Sequence, residues 1–296
     1  MLAVRKESYS ESPPHVSEFR RFLKVFFSRI IVAFGSIVIL AMIIMAIFAP
    51  FMAPYEPDKI DMDNRLLQPN RAHLLGTDFH GRDTLSRVIY GTRISFLIGI
   101  VAVGIGAIAG MALGLIAGYI GGKTNAVIMR LMDAIMAFPG LLLALIIAAM
   151  LGSGLMNIII ALSFAMVPMF ARLTRGQVIS LMENDYILAG RSMGASNLRI
   201  MLVHLLPNCF PVLIVGFTMM LGTTILAEAG LSFLGAGVPP PTPSWGAMVS
   251  NGYIYITTNP LLSIAPGVAV MLLVFAFNMV GDGLRDALDP RLRGIL

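Results

Sequence analysis

The chain reads as an all-α membrane protein of six transmembrane helices with both termini in the cytoplasm, and three observations lead there. Hydrophobic residues make up 57% of the 296 residues and charged residues only 12%, against about 25% charged in soluble domains. Five stretches hold no Asp, Glu, Lys or Arg: 30–55, 94–122, 134–171, 200–227 and 229–281. About 20 apolar residues cross a bilayer, so the longer stretches hold a span plus a turn or loop. Lys and Arg gather on alternate connections, the bias that fixes membrane orientation. The exception is the first outer loop, where Lys59, Arg65, Arg71, Arg82, Arg87 and Arg93 are balanced by six acids.

The spans fall near 30–52, 95–118, 126–150, 155–172, 209–233 and 263–281. Residues 1–29 form a cytoplasmic N-terminal segment. Residues 30–93 hold the first span and an outer loop, 94–282 a five-helix core, and 283–296 a cytoplasmic tail. Arg5, Lys6, Arg20, Arg21, Lys24 and Arg29 precede the first span. Lys123, Arg130, Arg172, Arg175, Arg191, Arg199 and Arg285 fall on the same side if all six helices cross, and so do Arg291 and Arg293. The net charge of +5 follows from this bias and not from nucleic-acid binding. The first span is too long for a cleavable signal and reads as a signal anchor. A single cysteine, Cys209, excludes an internal disulfide.

In the outer loop, Leu85, Val88, Ile89 and Phe96 share a helical stripe. The stripe predicts an amphipathic surface helix feeding the second span. His73, His80, Asp78 and Asp83 lack metal-ligand spacing and read as solvated or capping residues.

The second span carries Gly106, Gly110, Gly114, Gly118 and Gly122 on nearly one face. Such a ladder lets another helix approach backbone to backbone, within this subunit or on a second membrane subunit. The overlapping run AGYIGGKT (117–124) meets a relaxed phosphate-loop pattern. A real phosphate loop needs a strand before it and a helix after it in a soluble domain. Here a membrane helix ends in a turn, so no nucleotide site is expected in this chain.

Asp133 lies at i,i+3 from Arg130, which predicts an interfacial ion pair. Glu228 sits near the outer end of the fifth span, where an ionisable group is costly and faces a polar cavity or partner. Pathway lining and a structural hydrogen-bonded role both fit it; Asp133 and Glu228 are the two candidate pathway residues. Beyond Glu228, prolines 239–241 and 243 stiffen an outer loop in extended form, and Trp245 suits the membrane interface. Pro139, Pro168 and Pro266 predict kinks within spans. Many of the 21 methionines suit lipid or core, and flexible Met side chains also suit a passage for varied cargo.

Residues 171–207 are too polar to cross a bilayer, yet apolar residues recur at helical spacing. Ile187, Leu188, Leu198, Met201, Leu202 and Leu205 supply an apolar face. Two short helices are expected, broken at Gly194 and restarted by Ser196 as N-cap. Pro207 then closes the second before the fifth span. Helices lying on the inner surface there would give a soluble partner something to push.

These residues resemble the coupling motif of ATP-binding-cassette importer permeases, in which an EAA triplet, three spacers and a glycine are followed, nine residues on, by I-x-L-P. The matching positions are Leu188-Ala189-Gly190, then Gly194-Ala195, then His204-Leu205-Leu206-Pro207. Leu188 replaces the family's Glu, Gly190 its Ala and His204 its apolar residue. LLGTDFHGRDTLSRVIYGTRIS (74–95), MDAIMAFPGLLLA (132–144) and AEAGLSFLGAGVPPPTPSWGAM (227–248) are similar to the oligopeptide, dipeptide and nickel permease family. The N-terminal span with its long loop and FNMVGDGLRDALDPRLR (277–293) resemble its C-type subunit.

The resemblance implies a type I importer permease fold and a non-enzymatic, pore-forming role in the inner membrane. It further implies a homologous second permease, two ATPase subunits carrying ATP and magnesium, and an external substrate-binding protein. Leu188, Ala189, Gly190, Gly194, Ala195, Leu206 and Pro207 would couple to the ATPases. The implied cargo is a dipeptide or oligopeptide, with nickel or a nickel chelate as the alternative. An ATP-independent secondary transporter would call for inverted repeats, or for several acids and histidines along the spans; the sequence displays neither. An intramembrane hydrolase built on GLSF (230–233) finds no base, since His15, His73, His80 and His204 all lie outside the predicted spans.

Overall fold

The computed structural model describes residues 18–288; Arg5, Lys6, Arg291 and Arg293, on which part of the orientation argument rests, lie outside the described residues. Among the described residues the regular structure is helical apart from one isolated bridge between Thr77 and Asp83. Five helices are long and apolar enough to cross a membrane, and a bent pair supplies a sixth span.

Helix α1 (Glu18–Phe26) turns at residues 27–29 into α2 (Ile30–Ile47), an almost wholly apolar span with most of its surface exposed. Pro50 opens the short α3 (Ala49–Met52), and an irregular loop follows. Asp83 then caps α4 (Thr84–Ile120), accepting from Ser86 N at 2.7 Å. At about 1.5 Å per residue α4 is roughly 55 Å long.

The predicted surface helix is therefore the first part of α4, and no break separates it from the second span. A domain boundary at 93/94 falls inside this helix. Its apolar stripe is covered by protein, with Ile89 5% and Phe96 8% exposed.

Gly121 and Gly122, both at positive φ, turn the chain into α5 (Gly122–Met136). A break at residues 137–139 leads to α6 (Gly140–Leu151), bent 86° from α5. The third predicted span is thus two helices, each too short to cross a hydrocarbon core of ~30 Å alone. The cause is local: Pro139 has no N–H and disfavours helical backbone at Phe138 before it.

Helix α7 (Leu155–Met182) continues ten residues past the span expected at 155–172, carrying its polar end out of the apolar zone. Next come α8 (Asp185–Ser192) and the single turn α9 (Asn197–Arg199). A wide turn, Ile200–Leu205, joins α9 without interruption to α10 (Leu206–Phe233). Pro207 accordingly closes no helix. Leu206 N donates to Met201 O, five residues back. This wider winding carries the chain past the proline, which lies in the first turn of α10, where its missing N–H costs little.

The proline-rich loop leads into an unexpected helix, α11 (Trp245–Tyr253), before α12 (Leu261–Leu288). Helix α12 runs past the boundary drawn at 282/283. Arg29 binds Asp286 at 2.9 Å, placing the start of α2 beside the end of α12.

The core lies among α4, α7, α10 and α12, with Val103, Phe170, Leu213, Ile225 and Leu273 buried. Helices α4 and α7 pack most closely. An added Cβ on Gly110 would lie 2.5 Å from Val167 O, and one on Gly114 would lie 2.3 Å from Ala171 O. Gly106 and Gly118 meet Ser163 and Val178 on the same helix. The ladder thus faces α7 within the subunit, except Gly122, which meets nothing and serves the turn.

Candidate functional site: a bent lever and a tied opposite end

The lever is built from α8, α9 and the wide turn. Gly194, at φ +79°, follows the last turn of α8; its N–H donates to Arg191 O at 3.0 Å, and Ala195 N–H donates to Gly190 O at 3.1 Å. This paired pattern closes a helix on a left-handed residue, which is why glycine belongs there. Ser196 restarts the chain, its side chain accepting from Arg199 N at 3.3 Å. Ile187, Ile200 and Leu205 face the bundle, while Gly190 has little exposed surface but an added Cβ there would meet nothing within 4 Å. Leu188 (50% exposed), Met193 (82%) and Leu198 (63%) face away from it, so part of the predicted apolar face is free. Ala189 and Pro207 are exposed too, while Ala195 and Leu206 are half-buried.

At the opposite end Glu228 is 1% exposed. Its Oε1 accepts from Ser232 at 2.7 Å and from Ser244 at 3.0 Å, and its Oε2 has no partner. The carboxyl therefore ties α10 to the residue that precedes α11. Trp245 beside it is fully buried, and its indole N–H donates to Val88 O at 2.9 Å. The interfacial role expected for this tryptophan gives way to packing against α4, where Gly91 leaves room for the ring.

Arg87 completes the tie. Its guanidinium donates to Pro57 O at 2.8 Å and to Pro241 O at 3.3 Å. Asp78 holds Arg82 at 2.7 Å, and His73 Nδ1 lies 2.9 Å from Asp83 Oδ1. These side chains hold the loop together.

Asp133 pairs with Arg172 on α7 and not with Arg130. Helices α5 and α7 lie side by side, so a residue 39 positions away outcompetes the local one. Both side chains are about half exposed. AGYIGGKT is the end of α4, a two-glycine turn and the start of α5.

A recess of about 390 Å3 opens among α7, α10 and α12 in the lever half, lined by Met169, Leu173, Val215, Met219 and Arg285. Sequence reasoning did not single it out. Its only signal was methionines at similar depth on two helices, and composition cannot say that they face one space.

A mostly apolar helical bundle with a bent polar lever at one end has the make-up of a multi-pass membrane protein. Residues 110–294 match the model of the binding-protein-dependent transport system inner membrane component, and residues 17–69 match the N-terminal TM domain of oligopeptide transport permease C. The chain belongs to the binding-protein-dependent transport system inner membrane component family. It is 43% identical to the glutathione transport system permease protein GsiD of Pectobacterium atrosepticum over 93% of this chain and 90% of that protein. It is 45% identical to the di/tripeptide transport system permease protein DppC of Pseudomonas aeruginosa over 88% of each. A solved inward-facing MetNI methionine ABC transporter shares the fold with a TM-score of 0.55 at 22% identity, over 68% of this chain and 96% of that one.

Proposed function

We propose that this chain is one pore-forming half of an ATP-driven importer of short peptides in the inner membrane. It would pair with a homologous permease, two ATPase subunits and an external binding protein. The observation that carries this reading is the likeness to glutathione and di/tripeptide permeases, which extends over nearly the whole chain, lever included. ATP and magnesium would sit on the ATPases, with none bound here. Both termini and the lever would face the cytoplasm.

The physical account is a rocking bundle. Closure of the ATPases would press the exposed surface of α8 and α9, in which Leu188, Ala189 and Gly190 stand at the coupling positions and Gly194 forms the elbow. Leu206 and Pro207 carry the motion into α10, and the methionine-lined recess flanks the passage. Leu188 in place of the family's Glu leaves an apolar contact where a charged one is usual.

The test is reconstitution of the complex in liposomes with labelled dipeptide, glutathione or nickel outside. ATP-dependent uptake of peptide that requires the binding protein is expected, together with crosslinking of Met193→Cys to an ATPase. Solute movement by the purified chain alone would overturn the reading.

A further inference from the structure

We infer that Tyr119, at the inner end of α4, is the positioning residue that holds both lever helices in register with the long helix. This rests on the importer reading above and adds a route by which the lever's motion leaves it.

Tyr119 is 9% exposed and lies in the last turn of α4. Its hydroxyl donates to Asn197 Oδ1 at 2.7 Å, at the start of α9. Its ring lies under the guanidinium of Arg191, 5.2 Å from the centroid, in the last turn of α8. One side chain thus touches the helix on each side of the Gly194 elbow. A cation over an aromatic face and a hydrogen bond from the same ring's hydroxyl are both directional contacts. Together they fix an angle as well as a distance. Arg191 also contacts Met182 Sδ at 3.2 Å, so α7 joins the same node.

The elbow needs such a clamp. An added Cβ at Gly194 would meet nothing within 4 Å, so the elbow residue itself is unpacked and its angle rests on the contacts of the helices to either side. The covalent route from α9 into α10 winds wider at Ile200–Leu205, where Leu206 N–H reaches five residues back to Met201 O. A second route crosses through Tyr119. Helix α4 runs unbroken from Tyr119 to its Asp83 cap. On the way it is locked to α7 by the glycine ladder and to the outer mouth by Arg87 and Trp245. Movement of the lever is therefore delivered to the outer mouth through α4 as well as through α10, and Tyr119 is the contact that delivers it to α4.

The experiment uses the reconstituted complex and measures peptide uptake per ATP hydrolysed, with assembly and melting followed in parallel. Tyr119→Phe keeps the ring under Arg191 and removes only the hydroxyl. Asn197→Ala removes the same bond from an exposed position. Each is expected to lower uptake per ATP by about two- to tenfold, the worth of one hydrogen bond, with assembly and melting unchanged. The double variant should be no worse than the poorer single one, because both delete one interaction. Arg191→Gln should lower the ratio separately, since it removes the other contact.

An unchanged ratio in both single variants overturns the inference, as do losses that multiply in the double variant. A parallel fall in melting and uptake at constant ratio also overturns it, since that marks a packing role. If Tyr119→Phe fails to assemble, Asn197→Ala decides alone. A wild-type complex without ATP-dependent uptake would instead refute the importer reading itself.

Discussion

Gly110 on α4 sits so close to Val167 on α7 that a Cβ built on it would lie 2.5 Å from the valine carbonyl oxygen and 2.6 Å from Phe170 Cβ. Backbone cannot yield as a flexible side chain can. Gly110→Ala is therefore expected to push the helices apart and cost about 1–3 kcal/mol, the usual range for overpacking. Gly104 lies on the same helix with nothing within 4 Å of its added Cβ. Gly104→Ala should be neutral or stabilising by about 0.5–1 kcal/mol, because glycine weakens a helix interior. Melting of the two variants in detergent checks the contrast; equal effects would mean that α4 and α7 are not packed this tightly.

Glu228 makes its hydrogen bonds inside its own subunit, and this moves the expected effect of its replacement from transport to stability. Glu228→Gln keeps an acceptor at Oε1 for Ser232 and Ser244 but puts an amide NH2 at the buried, unpartnered Oε2 position. It should melt somewhat below wild type, while uptake at limiting substrate per assembled complex is unchanged. Glu228→Ala removes the acceptor that Ser232 and Ser244 share. Ser244 Oγ can still donate to Ser232 Oγ at 3.0 Å, so one buried hydroxyl loses its acceptor, at a cost of about 1–3 kcal/mol. The alanine variant should therefore melt lower, and α11 should exchange its amide hydrogens faster. Reduced uptake per assembled complex in the Gln variant would return Glu228 to the pathway.

What the sequence made legible follows from the range of the physics involved. The glycine ladder and the Gly194 elbow could be read because small-residue spacing and left-handed backbone each write themselves into a few neighbouring residues. Pro139 pointed to a kink, but hydropathy over 134–171 could not say that the chain would bend by 86°. Nor could spacing show that α5 lies beside α7, so it pointed to Arg130 while the fold supplied Arg172. Trp245 misled for a similar reason. An aromatic beside a proline-rich loop suits an interface, and only the room at Gly91, 154 positions earlier, shows that the ring is buried. Tyr119 left no signal, since its two partners become neighbours only when the lever folds back.

The Asp133–Arg172 pair is about half exposed on both sides, and exposed ion pairs contribute at most about 1 kcal/mol, less in salt. Asp133→Asn should shift melting only slightly at low ionic strength and not at all at high. Exchanging the two charges, Asp133→Arg with Arg172→Asp, should restore the low-salt value. A large loss of uptake that the exchange does not repair would show that Asp133 acts on cargo and not on α7.

Gly194 separates the backbone demand of the lever from its packing. An added Cβ there meets open space, so a substitution is penalised only by φ of +79°. Left-handed backbone costs most residues about 1–2 kcal/mol, and asparagine less. Gly194→Val should therefore loosen or reorient α8 relative to α9 while the bundle melts normally, because none of the core contacts involve this residue. Gly194→Asn should lie between valine and wild type. The ordering glycine, asparagine, valine in substrate-stimulated ATP hydrolysis would follow backbone preference, since asparagine and valine are similar in size and differ mainly in tolerance of positive φ. Equal loss in both variants would point to contact with the partner surface instead, and normal hydrolysis in both would remove the elbow from the mechanism.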